Sequence, residues 1–467
     1  MKWCSKKRLH VCRVLLVVCS FIVGGRADAS AQGTSQIATA SKSEPKPANA
    51  LSGSTTALSR YFDPVQGTSS SDLVLRALAS NGDLAAARLE IEKARARLRQ
   101  AGLRPNPTLD FEQTTGRFTG SAGEQETSIG VAVPIEVGGK RRRRVELAQA
   151  ELEAVAAEVA DRERRLSSEV RLNYAEALAA LRELDTMENL NRLDLQTTRF
   201  VQARVNEGES PPLELNLLMV EVDRLRSRRA LVEGRLTVAL LRLQTLAGIP
   251  AGEPIRLRED LAAPLLPTPP ASMDAAIEIA LRTRPDLRLA KLNEEVAYAG
   301  LKLANALGAP EVVAFTRFTL NRSTFDDTPV GVLRDRDKLL KVGVLVGIPV
   351  FNRNQGGKAE ASAAISQART RREFLETLVR AEVRSAYARY EAARSAVSRF
   401  EQGVIARSNA NINVIRAAYE IGEFRISELI NEQRRLLDSQ REFTEALTEQ
   451  YRALADLQTA LGVPISK

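Results

Sequence analysis

Cys4, His10, Cys12 and Cys19 are the only thiols and the only imidazole in this 467-residue chain. Residues of these types ligate zinc, attack as thiolates, relay protons or form redox pairs. The stretch that carries them looks instead like an export signal. Lys2, Lys6, Lys7 and Arg8 give it a positive start, Val11 to Val23 is largely apolar, and small-residue exits follow at Ala27-Asp28-Ala29 and Ala29-Ser30-Ala31. The apolar core is short for a transmembrane helix, and Val18 stands where a lipid-attachment site wants a small residue before Cys19. We read residues 1–31 as a cleaved signal peptide. The mature chain then has no thiol and no imidazole, which excludes zinc centres, Cys or His relays and disulfides. Carboxylate or Ser–Lys chemistry survives, but no motif gathers it, and the many Glu and Asp residues read as solvated helix faces. With Met187, Met219 and Met273 as the remaining soft donors, we expect no enzyme, no cofactor and no built-in metal site.

A second candidate chemistry is anion binding by Lys140-Arg141-Arg142-Arg143-Arg144. The formal charge of the whole chain is +9, but residues 1–29 hold six basic residues and one acidic, so cleavage leaves 61 basic against 57 acidic and a charge of +4. That balance, with an exported chain, argues against nucleic acid. Lipid phosphate is one partner for the run, and a solvated first helical turn is the alternative.

The elements that position these residues are written twice. Ala77-Leu78 with Asp83-Leu84 recurs as Ala280-Leu281 with Asp286-Leu287, and Glu169-Val170-Arg171 with Tyr174 recurs as Glu382-Val383-Arg384 with Tyr387. Gly208-Glu209 with Glu214-Leu215 returns as Gly422-Glu423 with Glu428-Leu429, and Gly248-Ile249-Pro250 as Gly462-Val463-Pro464. The offset grows between the first pairs, placing an insertion of about a dozen residues near 321–341. We divide the chain into signal 1–31, a flexible leader 32–71, a first repeat 72–250, a linker 251–271 that includes the Pro264 to Pro270 stretch, and a second repeat 272–464. Each repeat reads as a helical stretch (72–103, 273–307), a β region, a very long helix, a tight turn and a return helix. Residues 141–205 contain neither Pro nor Gly, and a helix of that length spans roughly 100 Å. The return helix carries Leu215, Leu218, Val222, Leu225, Val232, Leu236, Ala239, Leu243 and Leu246 in steps of three and four, with Arg229 the one breach. That is a coiled-coil seam, and it points to an elongated tube or rod.

The β regions, at 107–136 and 311–350, alternate apolar and small or polar residues: Ile129, Val131 and Val133 in one, Val342, Val344, Val346 and Ile348 in the other. Each run has the length of a tilted strand crossing a bilayer. Phe111, Phe118, Phe315, Phe318, Phe325 and Phe351 are six of the twelve phenylalanines after the signal, a clustering that suits an interfacial girdle. Four strands cannot close a barrel, and open edges cannot face lipid. Several chains must therefore pool their strands. At the membrane joint, Pro134 and Pro349 are expected to end pairing and Gly138-Gly139 and Gly356-Gly357 to swing the chain into a helix, placing Lys140, Arg141 and Lys358 near headgroups.

RPNPTL at 104–109, VPIEVGGKR at 133–141, GIPVFNRNQGG at 347–357, YEIGEFRISEL at 419–429 and LGVP at 461–464 resemble the TolC family of outer-membrane channels, most like its heavy-metal-efflux branch, the CzcC-like proteins. The resemblance implies a mainly α chain of duplicated coiled-coil hairpins with four strands, three copies closing a twelve-stranded barrel above a helical tunnel. It implies a passive outer-membrane conduit, a periplasmic adaptor, an inner-membrane pump of the proton-driven resistance (RND) type, and divalent heavy-metal cations as cargo. It places adaptor contacts on Gly208, Glu209, Ser210 and Pro211, and on Gly422, Glu423, Phe424 and Arg425. It also places an entrance gate at Glu428 and Asn431, where the family's paired acidic residues are here reduced to one. Drug efflux or protein secretion through the same architecture is the alternative reading, and a soluble periplasmic coiled-coil adaptor is one of another class.

Overall fold

Uninterrupted helix formers make the longest element. In the computed structural model, which describes residues 57–120, 123–250, 252–263, 266–325, 331 and 333–462, helix α4 runs Lys140–Asn206 without a break. The signal segment, most of the leader, Pro264 and Val463-Pro464 lie outside the described residues. Before α4 come α1 (Ala57–Tyr61), α2 (Ser70–Ser80), α3 (Gly82–Ala101), β1 (Thr108–Thr115) and β2 (Gln125–Ile135). After it come α5 (Pro212–Ala247), α6 (Met273–Thr283), α7 (Pro285–Leu307), β3 (Glu311–Phe325), β4 (Leu333–Gly347), α8 (Gln355–Arg399), α9 (Ile405–Glu420) and α10 (Ile426–Leu461). Among the described residues no helix is long and apolar enough to cross a membrane.

The seam is the core. Leu218, Leu225, Val232, Leu236 and Leu243 of α5 are buried in one cluster with Val170, Tyr174, Leu178, Leu181 and Leu184 of α4. Arg229 does not break that seam, because its guanidinium reaches Glu188 at 3.1 Å and Glu233 at 3.1 Å. Tyr451 and Leu447 of α10 join the same cluster. A second cluster ties Val379, Val383 and Ala386 of α8 to Leu457 and Leu461 of α10 and to Ala276 and Ala280 of α6.

The helix of the second repeat is not a copy of α4. Between α8 and α9 lies one π-helical segment, Phe400–Val404, with the Phe400 ring 6.0 Å from that of Phe443. The four strands form one antiparallel sheet in the order β1-β2-β3-β4. Strands β3 and β4 are 15 residues each against 8 and 11 for β1 and β2, so the extra length of the second repeat falls in that hairpin.

Two expectations are corrected. Residues 57–71 are not a flexible leader. Asp63 N donates to Leu257 O (2.9 Å), Thr68 N donates to Arg256 O (2.8 Å), and Leu257 N donates to Tyr61 O (2.8 Å). Composition counted few apolar groups there, but Leu257 of the linker, fully buried, supplies the backbone partners that fix the segment. The helical stretches 72–103 and 273–307 are each two helices. Asn81 breaks the first, its side chain accepting from Leu84 N at 2.9 Å. Arg284 breaks the second, since the residue before Pro285 is driven to extended backbone.

Candidate functional site

Strand alternation gives the sheet two unlike faces. In register, Phe111, Ile129, Phe318 and Leu340 form one row across the four strands, and Leu109, Val131, Thr316 and Val342 form the next. Val133, Ala314 and Val344 follow, then Ile135, Val312 and Val346. Apart from the half-buried Val312 and Ala314, these side chains stand in the open, Phe111 at 69% and Val342 at 76%. The opposite face carries Asp110, Glu112, Glu126, Glu311, Asp335 and Asp337 with Arg317 and Lys341, beside Ser128, Thr319 and Asn321. Val313, Phe315, Leu339 and Leu345 are apolar exceptions there. Arg317 reaches across β2 to Asp110 (2.8 Å) and Glu112 (3.3 Å). The Asp110 carboxylate lies over Gly130, where any Cβ would collide with it. An apolar face without cover and a polar face with fixed charges are what a barrel wall between lipid and water requires.

At the helix end of this sheet the joint departs from expectation. Pro134 does not end pairing: it sits within the β2–β3 ladder opposite Val313, and β1 no longer flanks β2 at that height. A proline is tolerated there because its missing donor faces an unpaired edge. Gly138 (φ 70°) and Gly139 (φ 73°) make the turn into α4, and a Cβ on Gly138 would lie 2.5 Å from Ala309 Cβ. In the second repeat the swing is not at Gly356-Gly357, which lie inside α8, but at Asn354 (φ 60°). Asparagine is the residue besides glycine that most readily adopts this conformation, and the Asn354 side chain donates to Ala304 O at 2.8 Å. Pro349 follows the end of β4, and Lys358 lies in the first turn of α8. The basic run is largely spoken for within the chain. Lys140 Nζ donates to Pro310 O (3.4 Å), Arg141 Nε to Gly102 O (2.6 Å), and Arg144 is hydrogen-bonded to Glu136, whose carboxyl it holds below the usual range.

At the far ends of the long helices, Gly208 (φ 79°) and Gly422 (φ 84°) close the two turns, with nothing within 4 Å of a Cβ added to either. Arg204 O accepts from Glu209 N (2.8 Å) and Ala418 O from Glu423 N (2.9 Å), the same closure in both repeats. The tips lie side by side: Tyr419 OH donates to Glu214 (3.4 Å) and its ring is 6.4 Å from that of Phe200. Ser210 is buried, whereas Pro211, Phe424 and Arg425 are exposed. Glu428 and Asn431 are both exposed, one turn apart on α10, and Glu428 accepts from Arg425 N (2.9 Å), capping that helix.

Two charged centres have no signal in the pattern. Asp194 of α4 is 4% exposed beside Gln433, and burial raises its pKa to about 6. Asn191 Oδ1, Gln433 Nε2 and Oε1, Asp194 Oδ1 and Arg416 Nε are buried there without hydrogen-bond partners. Arg284, also 4% exposed, bridges Asp286 (2.6 Å) and Glu382 (2.6 Å). A groove of about 920 Å³ runs between α4, α5 and α10, and arginines bridge Glu176, Glu183 and Glu445 along it, so those carboxylates are not free bases. Among the described residues no group of three or more His, Cys, Asp or Glu is placed to hold a metal.

Residues 73–249 and 276–463 match the family model described as "Outer membrane efflux protein". The cobalt-zinc-cadmium resistance protein CzcC of Cupriavidus metallidurans is 23% identical over 393 residues, covering 83% of this chain and 88% of its own. A crystal structure of CusC is similar to this chain with a TM-score of 0.69 at 22% identity, covering 86% of this chain and 96% of that one. The outer membrane protein VceC of Vibrio cholerae has a TM-score of 0.67 at 17% identity, over 84% and 96%.

Proposed function

This chain belongs to the outer membrane efflux protein family, and from that premise we propose that three copies form the passive outer conduit of a tripartite pump for divalent metal cations. The observation that carries the cargo is the sorting of charge on the sheet: six carboxylates and two cations occupy the polar face. Closed into a wall, that face turns net negative charge toward the water column and favours cations in transit. The name of the relative CzcC points the same way. Strands β1 and β4 each leave one edge unpaired, an arrangement that lipid does not tolerate unless neighbouring chains close the ring. Twelve strands from three chains satisfy that demand. Energy would come from an inner-membrane RND pump, reached through a periplasmic adaptor. No step here calls for an enzyme's chemistry.

In planar bilayers the purified protein is expected to conduct with cation preference, and neutralising Asp335, Asp337 and Glu126 together to lower that preference. Glu428→Gln in the same measurement tests the proposed entrance ring, in which Asn431 adds polarity but no charge. Deleting the gene should sensitise the host to divalent cations. Unchanged tolerance to every metal would remove the metal cargo and leave a channel for drugs or secreted protein.

The tips at Gly208–Pro211 and Gly422–Arg425 are the proposed adaptor contacts. Because a Cβ at Gly208 or Gly422 meets nothing within the chain, Gly208→Val with Gly422→Val strains only the local backbone, by about 1–3 kcal/mol per site. Metal tolerance is expected to fall to that of the deletion strain while conductance in bilayers persists. Full tolerance in the double variant would rule these turns out as the docking point.

A further inference from the structure

The cations of the sheet that do not face the proposed water column are gathered in one place. Strand β4 reads Arg334-Asp335-Arg336-Asp337-Lys338, so its carboxylates fall on the polar face and Arg334, Arg336 and Lys338 on the apolar one. Arg322 of β3 stands directly opposite Arg336, with Leu320 opposite Lys338 and Thr324 opposite Arg334. All four cations are exposed, and none has an ion pair among the described residues. Directly opposed side chains have Cβ atoms about 5 Å apart, and like charges so placed repel. The described carboxylates of all four strands lie on the other face. A neighbouring copy closing the ring brings β1, whose apolar-face residues at this height are Gln113 and Thr115. Among the described residues, neither the strands of this chain nor the β1 of a sister places a counter-charge on this face.

Position identifies what does. Each row is about 7 Å along a strand, and strands of membrane barrels tilt about 40°. Lys338 then lies about 5 Å, and the Arg322–Arg336 pair about 10 Å, beyond the row of Phe318 and Leu340. That is the depth of the headgroup layer next to the hydrocarbon. The long helices leave from the other end of the sheet, so this rim is the outer leaflet's.

We propose that Arg322, Arg334, Arg336 and Lys338 form a binding site for the phosphates of the phosphorylated glycolipid of the outer leaflet, the lipid A of lipopolysaccharide. The proposal rests on the membrane reading above. Guanidinium forks match phosphate oxygens in pairs, and the apolar rows below receive the acyl chains. Each headgroup-level cation contributes about fivefold to the affinity for anionic lipid.

The test uses the purified full-length channel in detergent, with lipid A occupancy read by native mass spectrometry and thermal shift. Arg322→Gln with Arg336→Gln is expected to weaken bisphosphorylated lipid A binding about 25-fold, from about fivefold per cation. Arg322→Lys with Arg336→Lys should stay within about fivefold of the parent, and Asp335→Asn with Asp337→Asn, on the opposite face, should leave lipid A occupancy at the parent's level. Equal binding of lipid A by the Gln variant and the parent would overturn the site, as would equal binding of dephosphorylated lipid A by the parent. Displacement of the lipid by an equal concentration of inorganic phosphate would show a free-anion site and overturn the lipid assignment. Bilayer conductance of the Gln variant separates the two levels. A conducting variant with undiminished lipid affinity removes the belt alone, whereas no conductance from parent or variant removes the membrane reading beneath it.

Discussion

Arg284→Met will leave little folded protein in the membrane. The guanidinium donates to both oxygens of Asp286 (Nε 3.0 Å, Nη2 2.6 Å) and to Glu382 (2.6 Å), tying the α6–α7 corner to α8, and lies 3.4 Å from Ala460 O at the end of α10. Burial works against its charge, yet Asp286 and Glu382 more than reverse that and hold its pKa above the ordinary value. Removing one member of a buried pair strands the other, at a cost of about 3–5 kcal/mol. Glu382 is half exposed and can turn to water, whereas Asp286 is 14% exposed and keeps only Arg164 at 3.8 Å and the Leu287 backbone N–H at 2.8 Å. The measurement is the heat-denaturation midpoint of the purified protein together with its yield in outer membranes. Arg284→Met with Asp286→Leu should recover much of the loss, because it removes the stranded carboxylate. If the single variant melts within a degree of the parent, the network is not holding the corner. The carboxyl of Asp286 is held below the usual range despite its burial, so its share of stability is present above the unfolded value near 3.8 and lost as pH falls through the lower folded value.

The second large effect has the opposite sign. Asp194→Asn should stabilise the tip-side bundle by about 3 kcal/mol at neutral pH. Burial raises the Asp194 pKa from 3.8 to about 6, roughly two units at about 1.4 kcal/mol each. A raised folded pKa means that the native state holds the proton more tightly than the unfolded chain. Its contribution is complete below pH 3.8 and disappears as pH rises through about 6. Glu221 adds to the rise, while Gln433 and Arg416 oppose it. Melting curves at pH 4.5 and 7.5 for parent and variant test this: the gap should widen at the higher pH. A gap that does not change with pH would mean that Asp194 does not titrate in this range.

How much of this was legible depends on which scale stored the information. The seam from Leu218 to Leu246 was readable because its spacing is the packing. The two faces of the sheet were readable because Ile129, Val131 and Val133 alternate with small residues, and alternation is orientation in a strand. Arg229 read as a flaw because its partner Glu188 lies 41 residues away on another helix. The Asn354 turn was missed since two glycines beside it drew the inference, although asparagine meets the same demand. Docking of residues 57–71 rests on backbone bonds to Leu257, which composition does not encode. Asp194 looked like one more polar residue on a helix surface, and only the assembled bundle shows that α10 covers it.

The π-helical segment at Phe400–Val404 has a consequence for the tip. Up to Val397 the buried positions on α8 form two rows with steps of seven, Val379, Ala386 and Ala393 in one and Val383, Tyr390 and Val397 in the other. Continuing the second row gives 404, 411 and 418; Val404 and Asn411 are exposed and only Ala418 is buried, whereas Ile405, Ile412 and Tyr419, sevens apart and one position later, pack into the core. One additional residue in the coil resets the phase by a single position, about 100° of winding. The first repeat has no such reset among its described residues, so the two hairpins reach their ends out of step. Any ring built from copies of this chain therefore alternates two non-equivalent prongs, and in the proposed trimer a partner gripping the rim would meet threefold rather than sixfold pseudo-symmetry.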